Sequence, residues 1–401
     1  MTIAAGPPRQ AFTPSQLLYD TRYRSLTIQV IALVLLAAGI TYLIHNLVVN
    51  LHALGKDFDF GYLNRRAGYD IAQSLIPYTN NNTHFRAALV GIVNTLLVAG
   101  LGIVTATVVG VLAGVLRLSK NWLVGRLMTV YVETFRNVPL LLWIILIYAV
   151  LSESTPSPAA FRGDEPEASK LFGLIAFTNR GTYFPSLVWG EGGSALLAIL
   201  LLSIVAAVLW RTYARRRQLA TGQILPVLWV GLAIVVLPVL LAFVLLGAPV
   251  TLDVPTVRPT GIARFDGGIN VLNSLVALWV GLTIYTGAFI AEIVRGGILA
   301  VSRGQTEAAF ALGLRPSWTT RLVVLPQALR VIVPPLISQY LNLIKNSSLA
   351  IAVGYPDVKA TLGGVTMNQT GRELESILLL ALFYLVVSLL ISLVLNIYNR
   401  R

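Results

Sequence analysis

Read for polarity alone, the chain alternates apolar blocks of about twenty residues with polar joints, a spacing set by a bilayer core rather than by one helix face or a strand. Ile28 to Ile44 and Ile377 to Leu395 are nearly continuous aliphatic runs. The blocks lie at roughly 26 to 49, 87 to 116, 131 to 151, 193 to 210, 224 to 247, 270 to 297, 334 to 353 and 375 to 397. They predict eight membrane-spanning helices, because a hydrocarbon core of about 30 Å takes about twenty helical residues. A membrane β-barrel would instead show alternating segments of about ten residues. The expected fold class is therefore all-α, a polytopic helical membrane protein, with Pro334 or Pro335 in the first turn of the seventh span.

Composition agrees, with 56% hydrophobic and 12% charged residues over 401 positions. Charge then sets an orientation. With the N-terminus inside, the inner joints collect 18 Lys and Arg against four acids, Asp20, Glu133, Glu292 and Glu307, as the positive-inside rule requires. The outer joints take 11 basic and 13 acidic residues, and Lys345 alone falls within a span. Both termini are thus expected in the cytoplasm. The net charge of +13 reads as this signal together with attraction to anionic membrane lipid. No nucleic-acid partner is implied, since the arginines scatter over helix ends rather than forming one face. There is no cysteine, and His45, His52 and His84 lack an acidic partner at ligand spacing, so no metal site is expected.

The joints carry further signals. Outer loops at 50 to 86, 152 to 192 and 248 to 269 hold the helix breakers, and none is long enough to be a folded domain. Asn81-Asn82-Thr83 reads as a turn rather than a glycosylation acceptor. Gly110 and Gly114 share one helix face at a spacing that lets helices approach closely, either within this subunit or at a subunit interface. Glu133 and Arg136 can pair at i,i+3 before the third span.

The most informative joint lies between the sixth and seventh spans. Ser302-x-x-Gln305 has capping-box spacing, Gly313 is a natural left-handed terminator, and Arg315-Pro316 blocks continuation. A helix of about ten residues, roughly 15 Å long, follows. Ala308 and Ala309 let another surface come near, and Glu307, in the first turn, is favoured by the helix dipole and available to a basic partner. A simple turn would have sufficed for a connection, so the element reads as a docking site.

These residues resemble a known family. Glu307-Ala308-Ala309-x3-Gly313-x9-Val323-x-Leu325-Pro326 is similar to the cytoplasmic loop of ABC importer permeases, whose pattern has Ile at the place of Val323. Gly287 to Gly297, Leu325 to Arg330, Leu343 to Leu349, Asn94-Thr95-Leu96 and Glu133-x2-Arg136-Asn137-x-Pro139 resemble the polar amino-acid importers in particular. The resemblance covers about 89 to 152 and 270 to 398. It implies a type I importer permease core of five helices with extra helices, as in the longer permease of broad-specificity L-amino-acid importers. The implied segments are 1–86 (N-terminus, first helix and outer loop), 87–152 (first part of the core), 153–269 (an inserted outer loop and two extra helices) and 270–401 (second part of the core, with the coupling loop at 300–330).

The resemblance also implies partners: two ABC ATPase subunits holding ATP and magnesium, a second permease making a heterodimer, and a periplasmic amino-acid-binding protein at the bacterial inner membrane. Glu307, Ala308, Ala309, Gly313, Leu325 and Pro326 would couple to the ATPase. The chain has no Gly-x4-Gly-Lys-Ser/Thr sequence, so ATP hydrolysis is expected on another subunit and this chain is expected to be no enzyme and to bind no cofactor. A Lys at mid-membrane is costly by about 2.5 to 3.5 kcal/mol, so Lys345 needs compensation. Asn342, Asn346, Ser347 and Ser348 surround it, and with Asn94 and Thr95 they are expected to line the substrate path. A buried pair with Glu292 remains the alternative. An ion-coupled secondary transporter would show repeats and several intramembrane carboxylates, which the spans lack. A channel would show a carbonyl filter or a charged ring.

Overall fold

A computed structural model describes residues 21–163 and 165–399, so the expected terminal charges Arg9, Asp20, Arg400 and Arg401 lie outside the described residues. The chain divides into two units, the first ending at Tyr62 and the second beginning at Leu63. The first unit holds α1 (Thr21–Ala53), an apolar helix exposed along nearly its whole length. His52 Nδ1 lies 2.9 Å from Asp57 Oδ1, so this histidine has an acidic neighbour that its spacing did not suggest. No cluster of three metal-ligating side chains occurs among the described residues.

The second unit is built around a five-span core. In chain order its elements begin with α2 (His84–Leu116), α3 (Trp122–Asn137) and α4 (Leu140–Ser154). Thr83 caps α2, its Oγ1 accepting from Arg86 N at 3.3 Å, and Asn82 Oδ1 accepts from Thr79 N at 2.7 Å; the Asn81-Asn82-Thr83 stretch is a turn. The expected single span at 131 to 151 is instead two helices bent by 105°. Pro139 causes the break: it forces Val138 into extended backbone at φ −105°, ψ 133°, where a helix cannot pass.

Next come β1 (Ala176–Thr178), β2 (Gly181–Phe184), β3 (Ser186–Trp189), α5 (Gly193–Thr221), α6 (Val227–Leu245), β4 (Val250–Asp253), β5 (Thr256–Val257), β6 (Phe265–Asp266) and β7 (Ile269–Val271). The expectation that no outer loop folds on its own holds only for each loop singly. Helices α5 and α6 pack as a hairpin that continues into an antiparallel ribbon, Ser186 opposite Asp253 and Trp189 opposite Val250. This brings the two loops together, and β1–β2–β7 form a three-stranded antiparallel sheet, Thr182 facing Val271. Tyr183, Phe265 and Ala176 are buried with Phe161 against them, and Arg258 and Arg264 pair with Asp266 at 2.5 and 3.4 Å. The protein is mainly helical, but it carries this small β cap.

Helix α7 (Asn273–Leu299) is the centre of the core, buried on most of its circumference. It is followed by α8 (Arg303–Ala311), α9 (Pro316–Thr319), a wide π turn over Thr320–Val324, α10 (Leu325–Asn346) and a 3-10 stretch over Ser347–Val353. After α11 (Val358–Ala360), a π turn over Thr361–Thr366 and α12 (Met367–Thr370), α13 (Glu373–Asn399) closes the bundle. Among the described residues, seven helices or helical runs are long and apolar enough to cross a membrane, and the bent α3–α4 pair makes eight.

The seventh span differs from expectation at its start. Pro326, not Pro334 or Pro335, occupies the first turn, and the helix begins at Leu325. The interior prolines leave the carbonyls of Arg330 and Val331 without intrahelical donors. Both residues are exposed, so these carbonyls can be satisfied from outside the helix.

The Gly110 and Gly114 face packs inside the subunit. A Cβ at Gly110 would lie 2.5 Å from Ile290 Cβ and 2.8 Å from Gly287 O, and one at Gly114 would lie 2.6 Å from Ala291 O. Small residues here let α2 and α7 bring their backbones together, which is how helices associate where lipid offers no hydrophobic drive.

Candidate coupling surface and polar segment

Helix α8 starts where the sequence places it, with Ser302 in extended backbone at φ −63°, ψ 142° as the N-cap. The capping box itself is not made: the Ser302 side chain makes no cap hydrogen bond, and Gln305 Oε1 accepts instead from Gln327 Nε2 at 3.1 Å. The glutamine that could have capped α8 therefore ties it to α10. The other end follows expectation. Gly313 has φ +77°, its N–H donates to Phe310 O at 2.9 Å, and Leu314 N–H donates to Ala309 O at 3.1 Å. This is the paired hydrogen-bond pattern of a Schellman terminator, where only glycine is unstrained.

Glu307 is the fifth residue of α8 rather than part of its first turn, so the helix dipole has little hold on it. Its carboxylate is exposed beside exposed Ala308, while Ala309 is buried against the body. In α8 and the turns after it Phe310, Leu312, Trp318 and Leu322 are exposed too, Leu312 at 82% and Trp318 at 55%. Leu325 and Pro326 open α10 and are exposed as well. Several large apolar side chains are thus left exposed within one short stretch of chain.

An ion network secures the helix that leads into α8. Glu292 of α7 binds Arg117 at the end of α2, meets Arg295 Nη2 at 2.8 Å and faces Arg136 Nη1 of α3 at 3.8 Å. Arg117 Nη2 also reaches Glu133 Oε1 at 3.2 Å, and Arg136 lies over the Phe289 ring at 5.1 Å. The expected i,i+3 pair of Glu133 with Arg136 is not formed, because helix packing offers each a partner on another helix. The expected alternative pairing of Glu292 with Lys345 is not formed either, since three arginines hold Glu292.

The polar residues proposed for the substrate path fall into two groups. Lys345 lies in the last turn of α10 rather than mid-helix, because the α-helix ends at Asn346, where the 3-10 stretch takes over. It is exposed with Asn342, and its Nζ has no hydrogen-bond or ion-pair partner among the described residues. Asn346 and Ser348 are half-buried and Ser347 is buried, Ser347 Oγ donating to Ile344 O and Ser348 Oγ to Lys345 O, both at 2.7 Å.

Asn94 and Thr95 sit elsewhere, fully buried on α2. Asn94 Nδ2 donates to Gln73 O at 2.8 Å and Pro356 O at 2.9 Å, while Thr95 Oγ1 accepts from Val358 N at 3.0 Å. They clamp the segment after α10 onto α2. Gly91 makes the approach possible, because a Cβ there would fall 2.1 Å from Thr361 Oγ1. A cavity of about 420 Å³ opens beside this clamp, between Tyr69 and Asp70 on one side and Pro356, Thr361 and Asn368 on the other.

Asp357 in this segment was not singled out from the sequence. It caps α11, Oδ1 accepting from Ala360 N at 2.8 Å, but it is fully buried and its Oδ2 has no partner. Burial pushes its carboxyl up to about 7, against the backbone donors of Ala360 and Lys359 and the charge of Lys359, which pull the other way. The folded chain then keeps a proton that the unfolded chain releases near pH 3.9, so stability falls as pH rises from about 4 to 7 and is flat above. The slope is about 1.4 kcal/mol per pH unit. Thermal unfolding followed between about pH 5 and 8 is expected to show this decline in the native chain and to lose it in Asp357→Asn.

With this geometry in view, comparison with known proteins is decisive. The chain is 53% identical to the glutamate/glutamine/aspartate/asparagine transport system permease protein BztB of Rhodobacter capsulatus, covering 100% of this chain and 98% of the relative. It belongs to the permeases of amino-acid ABC transporters. The family described as "Binding-protein-dependent transport system inner membrane component" matches residues 214–401. The general L-amino acid transport system permease protein AapQ of Rhizobium johnstonii is 46% identical over 96% of this chain and 93% of its own length. The glutamate/aspartate import permease protein GltK of Escherichia coli O157:H7 is 30% identical, covering 54% of this chain but 95% of its own. A shorter permease therefore aligns with only part of this one. The ion-coupled transporter reading gives way to the ABC permease, a multi-span protein of the inner membrane.

Proposed function

We propose that this permease translocates acidic L-amino acids and their amides, handed to it by an extracytoplasmic binding protein and moved by the ATP cycle of separate ATPase subunits. The carrying observation is α8: a short helix with a defined N-cap and glycine terminator, joining two membrane helices and exposing Glu307, Phe310 and Leu312. Two ATPase subunits, which hold ATP and magnesium, dock here and at the matching loop of a second permease. Both termini then lie in the cytoplasm, with the β cap outside. The substrate class follows the printed specificity of BztB; AapQ is named for general L-amino acid transport, a wider class that includes it.

Reconstitution tests this reading. Vesicles holding the chain with its second permease, ATPase and binding protein should accumulate glutamate with ATP and no ion gradient. Uptake driven by a proton or sodium gradient without ATP would sink the proposal.

Lys345 is the proposed carboxylate-attracting residue on the path, since its ammonium is exposed within the bundle surface and has no protein partner. Lys345→Gln is expected to lower glutamate uptake by about two- to tenfold, the range for one partly solvated ion pair. Unchanged kinetics and substrate preference would show that Lys345 does not touch substrate.

A further inference from the structure

The α5–α6 hairpin adds two membrane crossings to the core, and its surface carries a feature that the coupling surface and substrate path do not use. A groove of about 630 Å³ runs between the two helices. On α5 it is lined by Ile204, Ala207, Val208 and Arg211, residues at the spacing of one helix face. The first turns of α6, Gly231 among them, form its other wall. The walls are aliphatic apart from Arg211, which stands at the end where α5 turns into α6.

The depth of that arginine is set by simple geometry. Arg211 lies 18 residues beyond Gly193, about 27 Å along a helix, which matches the roughly 30 Å of a hydrocarbon core. The guanidinium therefore sits at headgroup level, with the apolar groove extending from it toward the bilayer centre. Helix α5 then continues past the membrane, and this extension carries Arg215, Arg216 and Arg217, all exposed. Arg215 lies one turn beyond Arg211 on the same face. No Asp or Glu occurs anywhere from Gly193 to Leu252, and none of the four arginines has a carboxylate partner among the described residues.

We infer that this groove is a binding site for an anionic phospholipid, one acyl chain lying along α5 and α6 and the phosphate meeting Arg211 and Arg215. Charge complementarity selects the ligand: unpaired arginines at the headgroup plane above an aliphatic furrow match a lipid with a net negative head. Arginine suits the role because its guanidinium can donate two parallel hydrogen bonds to a phosphate. A protein helix would fill the furrow but would leave the arginine cluster unanswered unless it were acidic.

The complex reconstituted in bilayer discs of equimolar phosphatidylcholine and phosphatidylglycerol tests this. After mild detergent extraction, mass spectrometry counts the lipids retained on the intact assembly. The native chain is expected to retain phosphatidylglycerol over phosphatidylcholine by about fivefold for each arginine that reaches the phosphate. Arg211→Gln with Arg215→Gln should erase this preference. Gly231→Leu should reduce retention of both lipids by filling the groove, and it should not disturb folding, because a Cβ at Gly231 meets nothing within 4 Å.

Equal retention of the two lipids by the native chain would overturn the inference. So would retention unaffected by both variants. Release of the retained lipid by inorganic phosphate would show a phosphate site without acyl recognition and would also overturn it. A protein occupant would reveal itself if Gly231→Leu ejected a subunit from the assembly while lipid retention stayed constant.

Discussion

Leucine at Gly110 is expected to leave little folded chain in the membrane, whereas leucine at Gly100 on the same helix is expected to be tolerated. The contrast follows from what each new Cβ meets. At Gly110 it would come within 2.6 Å of Ile290 Cγ2 and 2.8 Å of the Gly287 carbonyl, whereas at Gly100 it meets nothing within 4 Å. The carbonyl is backbone, so relief requires α2 and α7 to separate, and that opens the seam containing Val98, Leu282 and Ile290. Overpacking of a tight core is destabilising by about 1 to 3 kcal/mol, and more where backbones must move apart. Because α7 is the helix around which the core is assembled, the loss is global. Yield of monodisperse protein after extraction, and its melting temperature, measure the effect. Equal behaviour of the two leucine variants would refute close packing of α2 on α7.

The second large effect is expected at α8 and acts on coupling rather than folding. Valine at Gly313 must adopt φ near +77°, a region that disfavours a β-branched residue by about 1 to 2 kcal/mol. A nine-residue helix has little stability of its own, so its last turn should fray. Glu307→Lys leaves the helix intact but reverses the charge of its exposed patch. Both variants should insert normally and lose ATP-coupled glutamate uptake by about tenfold or more, equivalent to about 1.4 kcal/mol at the docking contact. Co-purification of the ATPase and the ratio of amino acid moved to ATP hydrolysed report the loss. Normal assembly and normal coupling in both would place the ATPase contact elsewhere.

These two sites show what the chain makes legible. Hydrophobic blocks of bilayer length located the spans, and Gly313 with Arg315-Pro316 located the end of α8, because local chemistry alone decides those features. Partner choice among polar side chains was not legible. Gln305 left Ser302 for Gln327, Glu133 left Arg136 for Arg117, and Glu292 took three arginines instead of Lys345, each outcome depending on helices far apart in the chain. Pro139 was visible, yet its break was hidden within a run that is apolar enough to read as one span. The burial of Asp357 had no local signature, since it results from Asn94 and Thr95 drawing the segment onto α2. The β cap escaped for a similar reason: β2 with β7 and β3 with β4 pair across the intervening α5–α6 hairpin.

That hairpin also bears on how the helices after it are threaded. It crosses the membrane an even number of times, so every helix after it keeps the direction it would have had without the insertion. Its entry and exit meet at one place, where β2 pairs with β7 and Asn273 Nδ2 donates to Thr178 O at 3.0 Å. Parity and adjacency together mean that the stretch from Thr178 to Asn273 starts and finishes at neighbouring points, and that its removal would reverse the direction of no later helix.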